Sequence, residues 1–214
     1  TIFSTYAQDF SEDHSRVVRN LLCDPVHRAI FPGSALADDS QSVKRFEIAA
    51  PGGKRGVYAA VGVGGPATGR GAFALLIDDP LKNREEADSD VVRKKLHAWY
   101  DSVARTRVMP RRGVCITATP WHERALTGYV LDQYAHEGWR VVKLPALAEG
   151  PNDPLGRTPG EPLWPEQWTL AELEKLRQGL PAREWASLYQ QRPAPDSGGY
   201  FETTKIARYG IAPR

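Results

Sequence analysis

Cysteine is nearly absent from these 214 residues: Cys23 lies in a polar helical stretch and Cys115 inside an apolar run, which excludes a disulfide framework and any CxxC metal motif and fits a reducing, intracellular setting. Long apolar runs are missing too. None approaches the roughly 20 residues of a membrane span, and the opening TIFSTYAQDF lacks the basic and apolar regions of a signal peptide. Charge of one sign is also scarce. The 28 basic and 26 acidic residues leave +2, too little to argue for nucleic acid by bulk electrostatics, so any such contact needs a local basic face. His122-Glu123 has no second His to complete H-E-x-x-H, so nucleotide-bound magnesium is the one metal that the pattern supports. What is present, 41% apolar and 25% charged residues, is the composition of a soluble chain with one sizeable core. The chain begins without Met and directly with an apolar strand pattern, which reads as a cut within a longer protein.

Along the chain, strand and helix patterns alternate. TIFSTYA reads as a strand and SEDHSRVVRNLL as a helix with Ser11 as its N-cap and Glu12 and Asp13 near its positive end. Residues 31–71 are broken by PGSALADDS, PGGKRG and VGVGGPATGRG, with RFEIAA and GVYAAVGV as a hairpin or two short strands. The continuous apolar run at 73–77 predicts a strand buried on both faces, followed by a helix with Val92, Leu96, Trp99 and Val103 inward. GVCIT predicts a second buried strand. HERALTGYVLDQYAHEG predicts a helix with Leu126, Val130 and Tyr134 on one face and Gly138 as its stop, and WRVVKL a third strand. The alternation implies an α/β fold, a mostly parallel sheet flanked by helices. Composition divides the chain into a core over 1–145, a Pro/Gly-rich loop or linker over 146–168, helices over 169–193 that begin at a Thr169/Glu172 capping box, and a linker over 194–214. Trp164, Trp168, Trp185 and Tyr189 read as packing for those helices, as a lid over the sheet, and not as base-stacking residues.

GGPATGRGAFALLIDDP, residues 64–80, is where chemistry concentrates. The glycines do not form a phosphate-binding loop: Arg70 stands where G-x-x-x-x-G-K-[ST] needs Lys, Gly71 where it needs a hydroxyl, and the segment enters a strand instead of opening a helix. A turn between strands is one reading. The other lifts out Arg70, whose guanidinium on a glycine loop suits a γ-phosphate in the transition state. Asp78 and Asp79 end an apolar strand as Walker B acids do, the first holding the magnesium shell and the second orienting the attacking water. One helix later the next strand ends in Thr117-Ala118-Thr119, hydroxyls placed to sense the γ-phosphate or, equally, to cap the turn before His122. Lys94, Lys95, Arg105, Arg107, Arg111 and Arg112 flank the long helix and the following turn, either as DNA-phosphate contacts or as a solvated face.

Five blocks, TYAQDFSEDHSRVVRNLL, VGVGGPATGRGAFALLIDDPLKNREEADS, ITATPWHERALTGYVL, LPALAEGPNDPLGRTPGEPLWPE and WASLYQQRPAPDSGGYF, together resemble the large terminase subunit of tailed phages and prophages, in order and over nearly the whole chain. The resemblance implies a packaging motor: an additional-strand P-loop ATPase domain, here incomplete at its N-terminus, followed in the family by a ribonuclease H-like nuclease domain. It implies ATP and magnesium as cofactors, and double-stranded DNA, the small terminase subunit, the portal protein and a homo-oligomeric ring as partners. The setting is the cytoplasm of an infected or lysogenic bacterial host. By resemblance Asp78 and Asp79 are the Walker B acids, with Asp where many relatives carry Glu second. Thr117 to Thr119 form the coupling motif, and Arg70 is an arginine that acts on a neighbouring subunit's ATP. The Walker A loop expected before TIFSTYA and the nuclease acids expected after YF are not in these residues. From this we expect weak ATP binding by the chain alone and an exposed apolar sheet edge. Two competitors stand beside this reading: half of a helicase-like ATPase, and an inert remnant that serves only as an interaction surface.

Overall fold

The computed structural model describes residues 1–67 and 71–193, in two compact units that divide after Thr119, and the linker expected over 194–214 lies outside the described residues. The first unit is α/β. Its six-stranded sheet has the order β2-β3-β4-β1-β5-β6. β1 (Ile2–Thr5) lies inside the sheet, parallel to β4 (Lys54–Gly62) on one side and to β5 (Ala72–Asp78) on the other, and β5 is parallel to β6 (Val108–Thr117). β2 (Ala35–Ser42) and β3 (Arg45–Ala50) extend it antiparallel beyond β4. The stretch read as irregular therefore adds a strand, β2, that its ALADDSQS pattern concealed. Five of those eight residues are Asp, Ser or Gln, which suits an outer strand with one face in water.

α1 (Gln8–Leu21) begins three residues earlier than Ser11, so Ser11 is not its N-cap. The Ser11 hydroxyl donates to the Ala7 carbonyl (3.0 Å), accepts from the Thr5 N–H (3.0 Å) and lies 2.9 Å from Thr5 Oγ1, with Ser11 and Thr5 fully buried. It ties the end of β1 to the helix that follows. The Gln8 side chain does the same for β4, accepting from the Gly62 N–H (2.8 Å) and donating to the Ala60 carbonyl (3.1 Å). Below it, Phe46 and Tyr58 stack at 5.0 Å with Leu22, Phe3, Val18, Leu36 and Ile48 packed around them.

The long helix expected after β5 is broken at Ser89 into α3 (Arg84–Asp88) and α4 (Asp90–Trp99). Asn83 and Ser89 explain the break: each accepts from a backbone N–H three residues on, as an N-cap does. Leu96 and Trp99 are buried as the spacing predicts, Val92 and Val103 half-buried, and Tyr100 continues the stripe at 0% exposure. GVCIT differs from its expectation. It forms the end of β6, but β6 is the last strand of the sheet among the described residues and Cys115 is exposed.

In the second unit α5 (Leu126–Gln133) buries Leu126 and Val130, and Gly138 sits at φ +69° after the next turn. WRVVKL forms no strand; Val141 and Val142 are half-exposed or more. Strand propensity without a ladder partner leaves backbone groups to water, and this unit's described residues pair only at one isolated bridge, Leu147 with Pro162. α6 (Leu170–Gly179) carries the expected capping box between Thr169 and Glu172. Trp185 is buried and stacks on Tyr189 at 5.1 Å, whereas Trp164 and Trp168 are exposed and take no part in the packing expected of them.

The Pro/Gly-rich stretch is held by side chains. Arg157 grips Asp153 with two nitrogens (Nε–Oδ1 3.1 Å, Nη2–Oδ2 2.7 Å) and donates to the carbonyls of Glu161 (3.3 Å) and Pro145 (3.1 Å), with both side chains under 7% exposed. Gln190 adds a second tie, accepting from the Leu147 N–H and donating to the Leu147 carbonyl as a neighbouring strand would. The Arg157 guanidinium beside Asp153 holds its carboxyl below the usual carboxylate range, helped by the N–H groups of Leu155 and Arg157. A lowered folded-state value gives stability that is complete above the unfolded carboxylate value and is lost only as pH falls through the folded one. Arg157→Lys, which cannot supply four donors in a plane, is therefore expected to speed limited proteolysis within 146–168 at neutral pH. The wild-type loop should become equally susceptible only at pH below about 4. Equal cleavage rates at pH 7 would show that other contacts order the loop.

Candidate active site

Three parallel strands bring their carboxyl ends together. Asp78, the last residue of β5, is in register with Thr117, the last residue of β6, and the preceding Ile77 with Ser4 of β1. Beyond the strand, Asp79 turns the chain at φ +38°, a left-handed conformation that a non-glycine residue adopts at a cost and that gathers at functional turns. Its backbone joins both neighbours: the Asp79 N–H donates to the Thr117 carbonyl (3.0 Å) and its own carbonyl accepts from the Tyr6 N–H (3.1 Å). Its carboxylate Oδ1 accepts from the Thr119 N–H at 2.7 Å, a short charge-assisted bond.

Asp78 is different. Among the described residues no hydrogen-bond donor reaches its carboxylate, which is half-buried. Burial pushes its pKa up, the charge of Asp79 pushes it further, and His14 of α1 opposes them. The alternation of β1 explains why His14 is near: Phe3 meets the His14 ring at 5.6 Å and Thr5 meets Ser11, so this face of the sheet, which register extends to Asp78, carries α1. No group of three or more His, Cys, Asp or Glu side chains gathers as a metal site among the described residues. Magnesium needs none, since it is commonly held by one or two carboxylates together with waters and substrate phosphates, and Asp78 is a carboxylate that could hold it.

The expected site residues are thus partly assembled. Asp78, Asp79, Thr117 and Thr119 meet at one edge; the basic residues do not join them. Arg105 and Arg107 occupy the turn Arg105–Arg107 that leads into β6, and Arg111 and Arg112 the first half of that strand, at the opposite end of the sheet. Seven residues of β5 separate the two ends, about 20 Å. Arg112 lies over the exposed Phe73 ring at 4.2 Å and Arg111 takes φ +62°, while Lys94 on α4 is paired with Asp90 at 2.6 Å and Lys95 is exposed. Arg70 lies outside the described residues; Gly71, which follows it, is at the amino end of β5.

The chain is similar to a phage large terminase. The crystal structure of the HK97 bacteriophage large terminase aligns at TM-score 0.45 and 11% identity over 90% of this chain. The chain spans 39% of that protein's length. No protein-family model matches the sequence, and no curated protein does. No helix among the described residues is long and apolar enough to cross a membrane.

Two features of the site escaped sequence reasoning. His14 was read only as part of a polar helix, although its i+4 spacing from Phe10, whose ring it meets edge-on at 4.7 Å, signals one shared face. The bond from Thr119 to Asp79 leaves no local signal, since it joins residues 40 apart.

Proposed function

We propose that this chain is the ATPase motor portion of a phage DNA-packaging large terminase, coupling ATP hydrolysis to movement of double-stranded DNA into a procapsid. The observation that carries the reading is the acid pair at the end of β5, with Asp78 unengaged and Asp79 bonded to the hydroxyl-bearing segment that ends β6. A strand-end acid beside a responsive neighbouring strand is what phosphoryl transfer needs, because its catalysis is largely positioning and electrostatic stabilisation. Asp78 would hold the magnesium shell, and Thr117 and Thr119 would register the γ-phosphate. Magnesium bound with ATP would supply positive charge beside the phosphates.

Arg70 would offset charge in trans. Gly71, next in sequence, sits at the amino end of β5, the edge of the sheet far from the acid pair. Arg105, Arg107, Arg111 and Arg112 share that far edge, where DNA phosphates would not compete with ATP. The partners are the small terminase subunit and the portal protein, in the cytoplasm of the bacterial host.

The sequence contains no G-x-x-x-x-G-K-[ST] loop, so the amide cradle and lysine that grip β- and γ-phosphates are not among these residues. The test titrates magnesium and ATP into this chain beside a form extended into the sequence its gene encodes upstream. Binding and turnover by the extended form, with weak binding by the chain alone, support the motor reading. Absence of turnover in both would mean an inert remnant.

A further inference from the structure

The sequence pattern gives Asp79 the task of orienting the attacking water. Its geometry points elsewhere: we propose that Asp79 is a positioning residue, a latch that holds the 117–119 segment against the end of β5 and leaves Asp78 as the one acid presented to ligand. Three bonds support this. The backbone of Asp79 is tied on one side to Thr117 and on the other to Tyr6, which fixes where its side chain starts. Its Oδ1 is then spent on the Thr119 N–H at 2.7 Å, so the carboxylate is already engaged across the strand boundary. The short Asp side chain suits this reach, because the Asp79 N–H on the Thr117 carbonyl already sets the chain beside the end of β6.

The latch gives the reaction a path from one strand to the next. A change at the Asp78 end of β5 moves Asp79, and Asp79 moves the Thr119 amide, with no intervening side chain. The role in turnover rests on the ATPase reading; the bond itself does not.

Asp79→Gly and Asp79→Asn separate the alternatives. Glycine adopts the left-handed conformation at no steric cost but removes the acceptor, whereas asparagine tolerates that conformation and keeps an oxygen at the same atom without the charge. Amide hydrogen exchange at Thr119 is the first readout, in this chain. Asp79→Gly is expected to speed it about 10-fold or more while global stability changes little, and Asp79→Asn to keep most of the protection. Unchanged exchange in Asp79→Gly would overturn the latch whatever the protein's activity. The second readout is ATP turnover in the extended form. Asp79→Gly should lower kcat with little effect on KM, and Asp79→Asn should recover a large part of the loss. A kcat for Asp79→Asn as low as that for Asp79→Gly, with Thr119 still protected, would show that the charge itself acts on water and would overturn the proposal. An extended form with no turnover at all would sink the ATPase reading and leave Thr119 exchange to decide the latch alone.

Discussion

Asp78→Asn is expected to lower magnesium-dependent ATP turnover on the order of 10²-fold or more in a turnover-competent form, and at the same time to stabilise the fold at neutral pH. The two effects share one cause. Asp78 is raised above the ordinary carboxylate range, first by burial and then by the neighbouring charge of Asp79, with His14 pulling the other way. A folded-state value above the unfolded one means that the ionised group opposes folding. Its contribution is favourable below the unfolded value, near pH 4, and is lost as pH rises through the folded value. Asparagine copies the neutral form at every pH. Thermal unfolding of wild type and Asp78→Asn should therefore differ in favour of the variant at pH 7 and converge near pH 3. A variant less stable than wild type at pH 7 would show that the carboxylate is held by partners, and would remove the argument that it waits for a cation.

Gly128→Ala is expected to destabilise the second unit by about 1–3 kcal/mol, against the usual direction for this exchange in a helix. Gly128 lies in the first turn of α5, and a Cβ there would fall 1.8 Å from the Glu123 carbonyl oxygen and 2.9 Å from its carbon. Both are backbone atoms. They cannot rotate aside, because the turn beneath is closed by the Ala125 N–H on the His122 carbonyl (3.0 Å) and by the Arg124 N–H on His122 Nδ1 (2.9 Å). Gly179, the last residue of α6, is the control: nothing lies within 4 Å of its added Cβ. Gly179→Ala should be neutral or stabilising. Urea midpoints for the two variants test the pair, and equal midpoints would mean that α5 can lift from the Glu123 turn at no cost.

The residues that sequence reasoning handled well share a property. The Thr169/Glu172 box, the strand over the apolar run of β5 (although Phe73 is exposed and not buried as expected) and the inward stripe of Leu96 and Trp99 are each specified within a few residues, by periodicity or by a cap; Gly138 instead ends the turn after α5, which itself stops at Gln133. The misreadings share the opposite one. Ser11 looks like an N-cap from its neighbours but is committed to Thr5 of β1, and Ser89 breaks a helix that its apolar spacing would have continued. WRVVKL has strand residues and no strand to pair with, and GVCIT has the composition of a buried strand at the outer position of the sheet.

The candidate site divides in the same way. An acid pair at the end of an apolar strand, a hydroxyl triplet at the end of the next and the α/β alternation are determined by the sequence itself, because local pattern decides element type and where each element stops. Which of the two acids is engaged, that Arg157 and Gln190 hold a proline-rich stretch in place, that the charge of His14 acts on Asp78 and that the arginines stand at the far end of the sheet were decided only by the tertiary structure. The physical reason is distance along the chain. These interactions pair a side chain with a backbone group or charge brought near it by strand order and register, and no window of neighbouring residues contains both partners.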